Sequence, residues 1–251
     1  MAFIQVEFYS KVLDVVSSVN VILPEANRKD GKPAPEDPPK VLYLLHGYSN
    51  NHTNWMRKSS IERYAAPYHL AVIMPAVNNS FYCNEVYGGR YWDYVSEELP
   101  RTMHQFFRLS SRPEDTFVAG LSMGGYGAMR LALTYPERFA AAGSFSGAVD
   151  LASLEVPEQN QLIKRIFGDD PTVRGTEMDT LFLMKKNADA PHKPRLYVSC
   201  GTNDFLYGMH DPFIRHLEEN HWDVTRHDEP GASHTWEFWD QEVKSFLTFI
   251  N

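Results

Sequence analysis

Gly120-Leu121-Ser122-Met123-Gly124 is the stretch on which the reading of this chain turns. It fits G-x-S-x-G, the pattern of a sharp strand-to-helix turn that holds a serine hydroxyl at its apex. Thr116-Phe117-Val118-Ala119 ahead of it is short, apolar and β-rich, and Gly125 to Leu133 behind it reads as a helix. Glycines on both sides of Ser122 let the backbone bend without a Cβ clash. Five loosely defined positions recur by chance, so the strand and helix that flank the motif carry the argument.

The same alternation runs outward from that turn. Phe3 to Tyr9 alternates apolar and polar residues, as a strand does, and Ser18 to Leu23 reads as its neighbour, ended by Pro24. The proline-rich, charged stretch from Asn27 to Lys40 reads as a solvated loop. Val41 to Leu45 and Leu70 to Met74 are continuous apolar runs, expected of strands covered on both faces. Further strands are predicted at Thr116 to Leu121, Phe139 to Phe145 (weaker, rich in small residues), Leu196 to Cys200 and Trp222 to His227. Helical patterns lie at Ile61 to Tyr68, Val95 to Phe107, Gly125 to Tyr135, Asp211 to Glu219 and Trp236 to Ile250. Strands alternating with helices predict an α/β fold, a mostly parallel central sheet flanked by helices in a single domain spanning 1–251. Residues 148–193 break the rhythm, with Met178, Leu181, Phe182, Leu183 and Met184 as a late apolar patch. They read either as a cap-like insertion over the carboxyl edge of the sheet, where ligands bind in such folds, or as an elaborated helical connection.

Bulk properties narrow the function. A net charge of −8, without clustered Lys and Arg, argues against nucleic acid. No apolar run approaches a membrane span, and the N-terminus lacks the basic and apolar regions of a signal peptide. The two cysteines, Cys83 and Cys200, are too few for the disulfide framework of a secreted chain, which points to a reducing, cytoplasmic setting, and neither lies in a C-x-x-C pattern. Cys200 reads as a small core residue. No spaced cluster of His, Cys and carboxylates suggests a metal, and no G-x-G-x-x-G or P-loop suggests a nucleotide, so no cofactor is expected.

A serine hydroxyl needs an adjacent base, and the base needs an acid to fix its tautomer. When the serine sits on such a turn, the chain order is Ser, acid, His. Of the ten histidines, His234 meets that order, because it lies in the turn-rich Pro230 to Trp236 loop between the last strand and the last helix. Asp204 follows the strand ending at Cys200 and opens at the same sheet edge. An oxyanion hole needs two backbone N–H donors. Met123, after the serine, is one; Tyr48, in the His46-Gly47-Tyr48-Ser49 loop, is the other, with His46 bracing that loop. Trp55, Tyr82 and Trp92 are candidate substrate contacts, with the core as their alternative fate.

On Leu44-Leu45-His46-Gly47, Asn54-Trp55, Gly120 to Gly125, Gly201-Thr202-Asn203-Asp204 and His234-Thr235-Trp236, the chain resembles the esterase D branch of the α/β-hydrolases. Length, a plain N-terminus and Tyr91-Trp92-Asp93 bring it nearest the bacterial tributyrin esterases. The resemblance implies cofactor-free hydrolysis of short-chain acyl esters, with Ser122, Asp204 and His234 as triad, a small-molecule ester as partner and self-association as an option. S-formylglutathione hydrolases tend to carry Gly-Leu-Thr-Cys where this chain has Gly47-Tyr48-Ser49-Asn50. That activity, feruloyl or acetyl-sugar ester hydrolysis, acyl transfer and a silent binding protein on the same fold are the competing readings.

Overall fold

The computed structural model describes residues 1–25, 35–154, 161–169 and 172–251. Its centre is one sheet of eight strands: β1 (Ala2–Ser10), β2 (Val15–Leu23), β3 (Lys40–Leu45), β4 (Leu70–Pro75), β5 (Thr116–Leu121), β6 (Ala141–Phe145), β7 (Arg195–Gly201) and β8 (Val224–Glu229). Their order is β1-β2-β4-β3-β5-β6-β7-β8. The β1–β2 and β2–β4 pairs are antiparallel, and every pair from β4–β3 to β7–β8 is parallel. The helices are α1 (Asn54–Lys58), α2 (Ile61–Ala65), α3 (Tyr91–Asp93), α4 (Leu99–Phe106), α5 (Met123–Thr134), α6 (Gln161–Phe167), α7 (Thr180–Lys186), α8 (Tyr207–Glu219) and α9 (Trp236–Phe249).

The apolar runs are buried on both faces because side chains alternate across a strand. Val41, Tyr43 and Leu45 of β3 join Val118 and Ala142 under α4, α5, α7 and α8. Leu42 and Leu44 join Phe117, Ala119 and Phe145 under α1, α2 and α9. The small residues that make β6 look weak have a packing cause. A Cβ on Gly143 would lie 2.8 Å from the Phe246 ring of α9, so a larger residue would push that helix off the sheet.

Differences from the sequence reading are local. Helix α5 begins at Met123, because Ser122 itself makes the turn, and α8 begins at Tyr207 and carries Pro212 in its first turns. The Val95 to Phe107 pattern starts as a π-helical turn, Tyr94–Glu98, before α4. The patch at Leu181 to Met184 is α7, which packs on α5 and α8 with Leu183 and Met184 fully buried. That part of 148–193 is therefore a layer of the sheet's own flank and not a cover. Described residues ahead of it pack on α5 and on the segment around Cys83. Val86 N–H donates to Ile166 O at 3.0 Å, Tyr126 OH donates to Met178 O at 2.8 Å, and Ala148, Leu151 and Ile166 pack with Cys83, Tyr126 and Leu206. Both cysteines are free and buried. The loop expected from Asn27 to Lys40 falls mostly outside the described residues.

Candidate active site

Ser122 stands between β5 and α5 with φ 52° and ψ −117°, a conformation that costs an L-residue about 1–3 kcal/mol and persists only where its surroundings hold it. They do: Ser122 N–H donates to Phe145 O at 2.9 Å, and its carbonyl accepts from Tyr126 N–H at 3.1 Å and Ala148 N–H at 3.2 Å. Gly124 permits the close approach of the next loop. A Cβ there would lie 2.5 Å from Leu45 O and 2.7 Å from His46 O.

The loops after β7 and β8 bring two further side chains to the serine. Ser122 Oγ lies 3.0 Å from His234 Nε2, and His234 Nδ1 lies 2.8 Å from Asp204 Oδ2. The other carboxylate oxygen of Asp204 accepts from Leu206 N–H at 2.9 Å. Burial pushes the Asp204 carboxyl up, but the hydrogen bonds from His234 and Leu206 outweigh it, and the net pKa lies below the ordinary value. An ionised Asp204 accepts the Nδ1–H of His234, which leaves Nε2 free to accept the serine proton.

Met123 N–H, first in α5, and Tyr48 N–H have no acceptor among the described residues. The peptide carrying Tyr48 N–H is clamped through its carbonyl: His46 Nδ1 lies 2.8 Å from Gly47 O, while Val77 N–H donates to His46 Nε2 at 3.2 Å. Tyr82 OH donates to His46 O at 2.8 Å. Burial pushes His46 down to about 4, and likewise His210, whose Nε2 bonds Gly147 O at 3.0 Å.

A pH dependence of stability follows from those two rings. Both fold neutral, with pKa values below the 6.5 of the unfolded chain. As pH falls through 6.5 the unfolded chain takes up their protons and the folded chain does not. Their stability contribution is thus complete above about 6.5 and is lost on the way to about 4, at no more than about 1.4 kcal/mol per pH unit per ring. Urea unfolding is expected to show about 2–4 kcal/mol less stability at pH 5 than at pH 7.5. Equal values would mean that the rings are not buried as described.

The three aromatic candidates are not brought to the serine. Trp55 is buried in the core below the site, its Nε1–H donating to Leu45 O at 3.0 Å and its ring 5.2 Å from Trp236. Tyr82 is fully buried behind His46. Trp92 stacks on Tyr135 and Arg130 at the far end of α5 from Ser122. Core packing claims all three, the commoner fate of large aromatics. The cleft at Ser122, of about 980 Å³, is lined instead by Tyr48, Phe205, Trp236 and Trp239, with Arg57 and Lys58 at its rim. Phe205, 77% exposed, lies 4.6 Å from the His234 ring, and Trp239 meets that ring edge-on at 4.8 Å. Sequence reasoning missed these; the available signal was adjacency, since Phe205 follows Asp204 and Trp236 comes two residues after His234. No group of three or more His, Cys, Asp or Glu that could hold a metal occurs among the described residues. Nor is any helix among them long and apolar enough to cross a membrane.

Comparison with known proteins gives this geometry its context. The family model described as "Putative esterase" matches residues 10–244. An acetyl esterase of Caldicellulosiruptor saccharolyticus is 31% identical over 263 residues, covering 100% of this chain and 98% of that one. Two solved structures from Staphylococcus aureus are each 38% identical and cover 99% of this chain and 98% of their own. One is the fluorophosphonate-binding serine hydrolase FphF, with substrate bound, at a TM-score of 0.89. The other is the S-formylglutathione hydrolase FrmB, at 0.86. The chain belongs to the Esterase family, and is a serine hydrolase of carboxylic esters built on the α/β-hydrolase fold.

Proposed function

We propose that this enzyme hydrolyses short-chain acyl esters, of the kind represented by acetyl esters and tributyrin, through an acyl-enzyme on Ser122. The observation that carries the reading is the continuous relay from Ser122 Oγ to His234 Nε2 at 3.0 Å and from His234 Nδ1 to Asp204 at 2.8 Å. Ser122 Oγ attacks the ester carbonyl carbon as its proton passes to His234 Nε2. Tyr48 N–H and Met123 N–H donate to the oxyanion of the tetrahedral intermediate. Collapse breaks the bond to the leaving oxygen, which takes the proton from His234, and the alcohol departs. Water then repeats the sequence, giving up its proton to His234, and releases the carboxylic acid. Asp204 stays ionised throughout and stabilises the imidazolium.

Two features support a small acyl group and a polar leaving group. One relative that covers the whole chain is an acetyl esterase, and the cleft rim carries Arg57 and Lys58 beside Asn50 and Asn54. The 38% identical S-formylglutathione hydrolase favours a second reading, in which the substrate is a thioester with an anionic thiol and those cations meet its carboxylates. In this account the described residues Ala148, Leu151 and Ile166 flank the site beside Tyr126 and Leu206, and the two buried free thiols fit a cytoplasmic enzyme. The test is a p-nitrophenyl ester series from acetate to octanoate, with S-formylglutathione in parallel. The expected result is a kcat/KM maximum between acetate and butyrate. A maximum at octanoate overturns the short-chain reading. A kcat/KM for S-formylglutathione at least a hundredfold above the best ester favours the second.

A further inference from the structure

Strand β1 is an open edge of the sheet. It pairs with β2 on one side, and among the described residues no backbone hydrogen bond of Ala2–Ser10 runs to the other side. An edge presents a row of unpaired N–H and C=O groups, which folded proteins guard with a short strand, charged side chains, a proline or a bulge. The opposite edge, β8, is guarded: six residues that include Arg226, Asp228 and Glu229. β1 is not. It runs for nine residues, pairs with β2 through all nine without a bulge, and has Glu7 as its one charged side chain.

Apolar side chains flank this edge on both faces. Ile4, Val6 and Phe8 turn toward the core, and Phe3, Gln5, Glu7 and Tyr9 turn to solvent. Of the nine large hydrophobic side chains exposed among the described residues, five gather here: Phe3, Tyr9, Val15, Val16 and Phe106, each 44–59% exposed. Val16 stands opposite Tyr9 in the β1–β2 register. On the other face the Phe106 ring, at the end of α4, meets Phe8 edge-on at 6.2 Å. Exposed apolar side chains gathered in one place mark an interaction surface, whereas single ones do not.

The strand is also held in place before anything docks on it. Glu98, in the π-helical turn Tyr94–Glu98, accepts from Ser10 Oγ–H and, at 2.8 Å, from Lys11 N–H. Tyr94 OH of the same turn accepts from Ser17 Oγ–H of β2 at 3.0 Å. A strand fixed in this way loses little freedom when a second strand adds to it.

We propose that the free edge of β1 binds a second copy of this chain, the two β1 strands pairing antiparallel about a two-fold axis at Val6. The strand is self-complementary in that register. Phe3 faces Tyr9 of the other copy, Ile4 faces Phe8, Gln5 faces Glu7, and Val6 faces its own counterpart. Aromatic meets aromatic, apolar meets apolar, and the one carboxylate meets an amide that donates to it. Directly opposite residues share a face, so the axis moves only by whole residues. An axis at Glu7 sets that carboxylate against itself, and one at Gln5 sets Phe3 against Glu7, both unfavourable. The guarded edge at β8 keeps the joined sheet from growing further, so the assembly closes as a pair.

The test is sedimentation velocity over a range of enzyme concentrations, with hydrogen–deuterium exchange of the 2–10 amides at both ends of that range. A dimer is expected, with those amides exchanging at least tenfold more slowly in it than in the dilute monomer. Phe3→Glu and Tyr9→Lys are each expected to raise the dimer Kd at least a hundredfold. Both positions are solvent-exposed, so each variant should fold as the parent does. The double variant sets the new carboxylate of each copy against the new ammonium of the other, and should bring Kd back to within tenfold of the parent. All three should keep the parent kcat, because β1 lies four strand spacings from β5, roughly 19 Å. Three results overturn the proposal: a monomer at every concentration, a dimer whose 2–10 amides exchange as fast as the monomer's, or a double variant that dimerises as weakly as the single ones.

Discussion

Ser122→Ala is expected to lower kcat on p-nitrophenyl acetate by about 10⁵- to 10⁶-fold, roughly 7–8 kcal/mol of transition-state stabilisation. The loss falls on kcat because the hydroxyl forms its bond to the acyl carbon only as the reaction proceeds. Binding of the ester rests on the cleft walls, which alanine leaves alone. Folding should survive. The strained φ of 52° at this position is imposed on any residue by the hydrogen bonds to Phe145, Tyr126 and Ala148, and alanine bears it as serine does. Residual turnover of the variant measures what the Tyr48 and Met123 N–H groups and His234 contribute with water as nucleophile. Initial rates on variant and parent, with circular dichroism to confirm the fold, check the prediction. Activity above about 1% of the parent would remove Ser122 from the chemistry.

Asp204→Asn should lower kcat by about 10⁴-fold with little change in fold. Asparagine keeps the size of the side chain and can still accept Leu206 N–H through its carbonyl oxygen. It can turn an NH₂ toward His234 Nδ1. The ring then keeps its proton on Nε2, where the serine needs an acceptor, and the imidazolium loses its counter-charge. Because the Asp204 pKa is lowered below its ordinary value, the parent carboxylate stays charged across pH 6–9, so acidification within that range does not mimic the variant. The sign is that of a carboxylate stabilised by folding: its contribution is present above the ordinary aspartate pKa and is lost as pH falls through the lower folded value. The pH–rate profiles of parent and variant decide the matter. A variant within tenfold of the parent across pH 6–9 would show that Asp204 is not the partner that orients His234.

The chain states its sheet plainly and its cleft walls poorly, for physical reasons. Strands such as β3 and β4 are covered on both faces, so their apolar runs are continuous and visible, and Leu42 and Tyr43 end up on opposite sides as period two requires. The G-x-S-x-G turn was legible because its glycines answer to local backbone constraints, above all the contact of Gly124 with Leu45 O and His46 O. The predicted positions of Asp204 and His234 followed from the ends of parallel strands meeting at one edge, and the structure brings both side chains into hydrogen-bonding reach in line with Ser122. Side-chain direction is a different matter. Trp55 and Phe205 are both aromatics near functional residues, yet one is buried under Leu45 O and the other is exposed over His234. That choice depends on loop conformation and on packing from α9, which no local pattern encodes. The π-helical turn at Tyr94–Glu98 was equally hidden, because its anchors, Ser10, Lys11 and Ser17, lie some eighty residues away in sequence.

The central claim is that Ser122 is a nucleophile activated by His234. Labelling with a fluorophosphonate, followed by intact mass and peptide mapping, tests it most directly, because the reagent scores nucleophilic attack without depending on the choice of ester. The account predicts one phosphonyl group per chain, on Ser122, absent in Ser122→Ala and formed at least a thousandfold more slowly in His234→Ala. A label on another residue, or one that persists in Ser122→Ala, would contradict it.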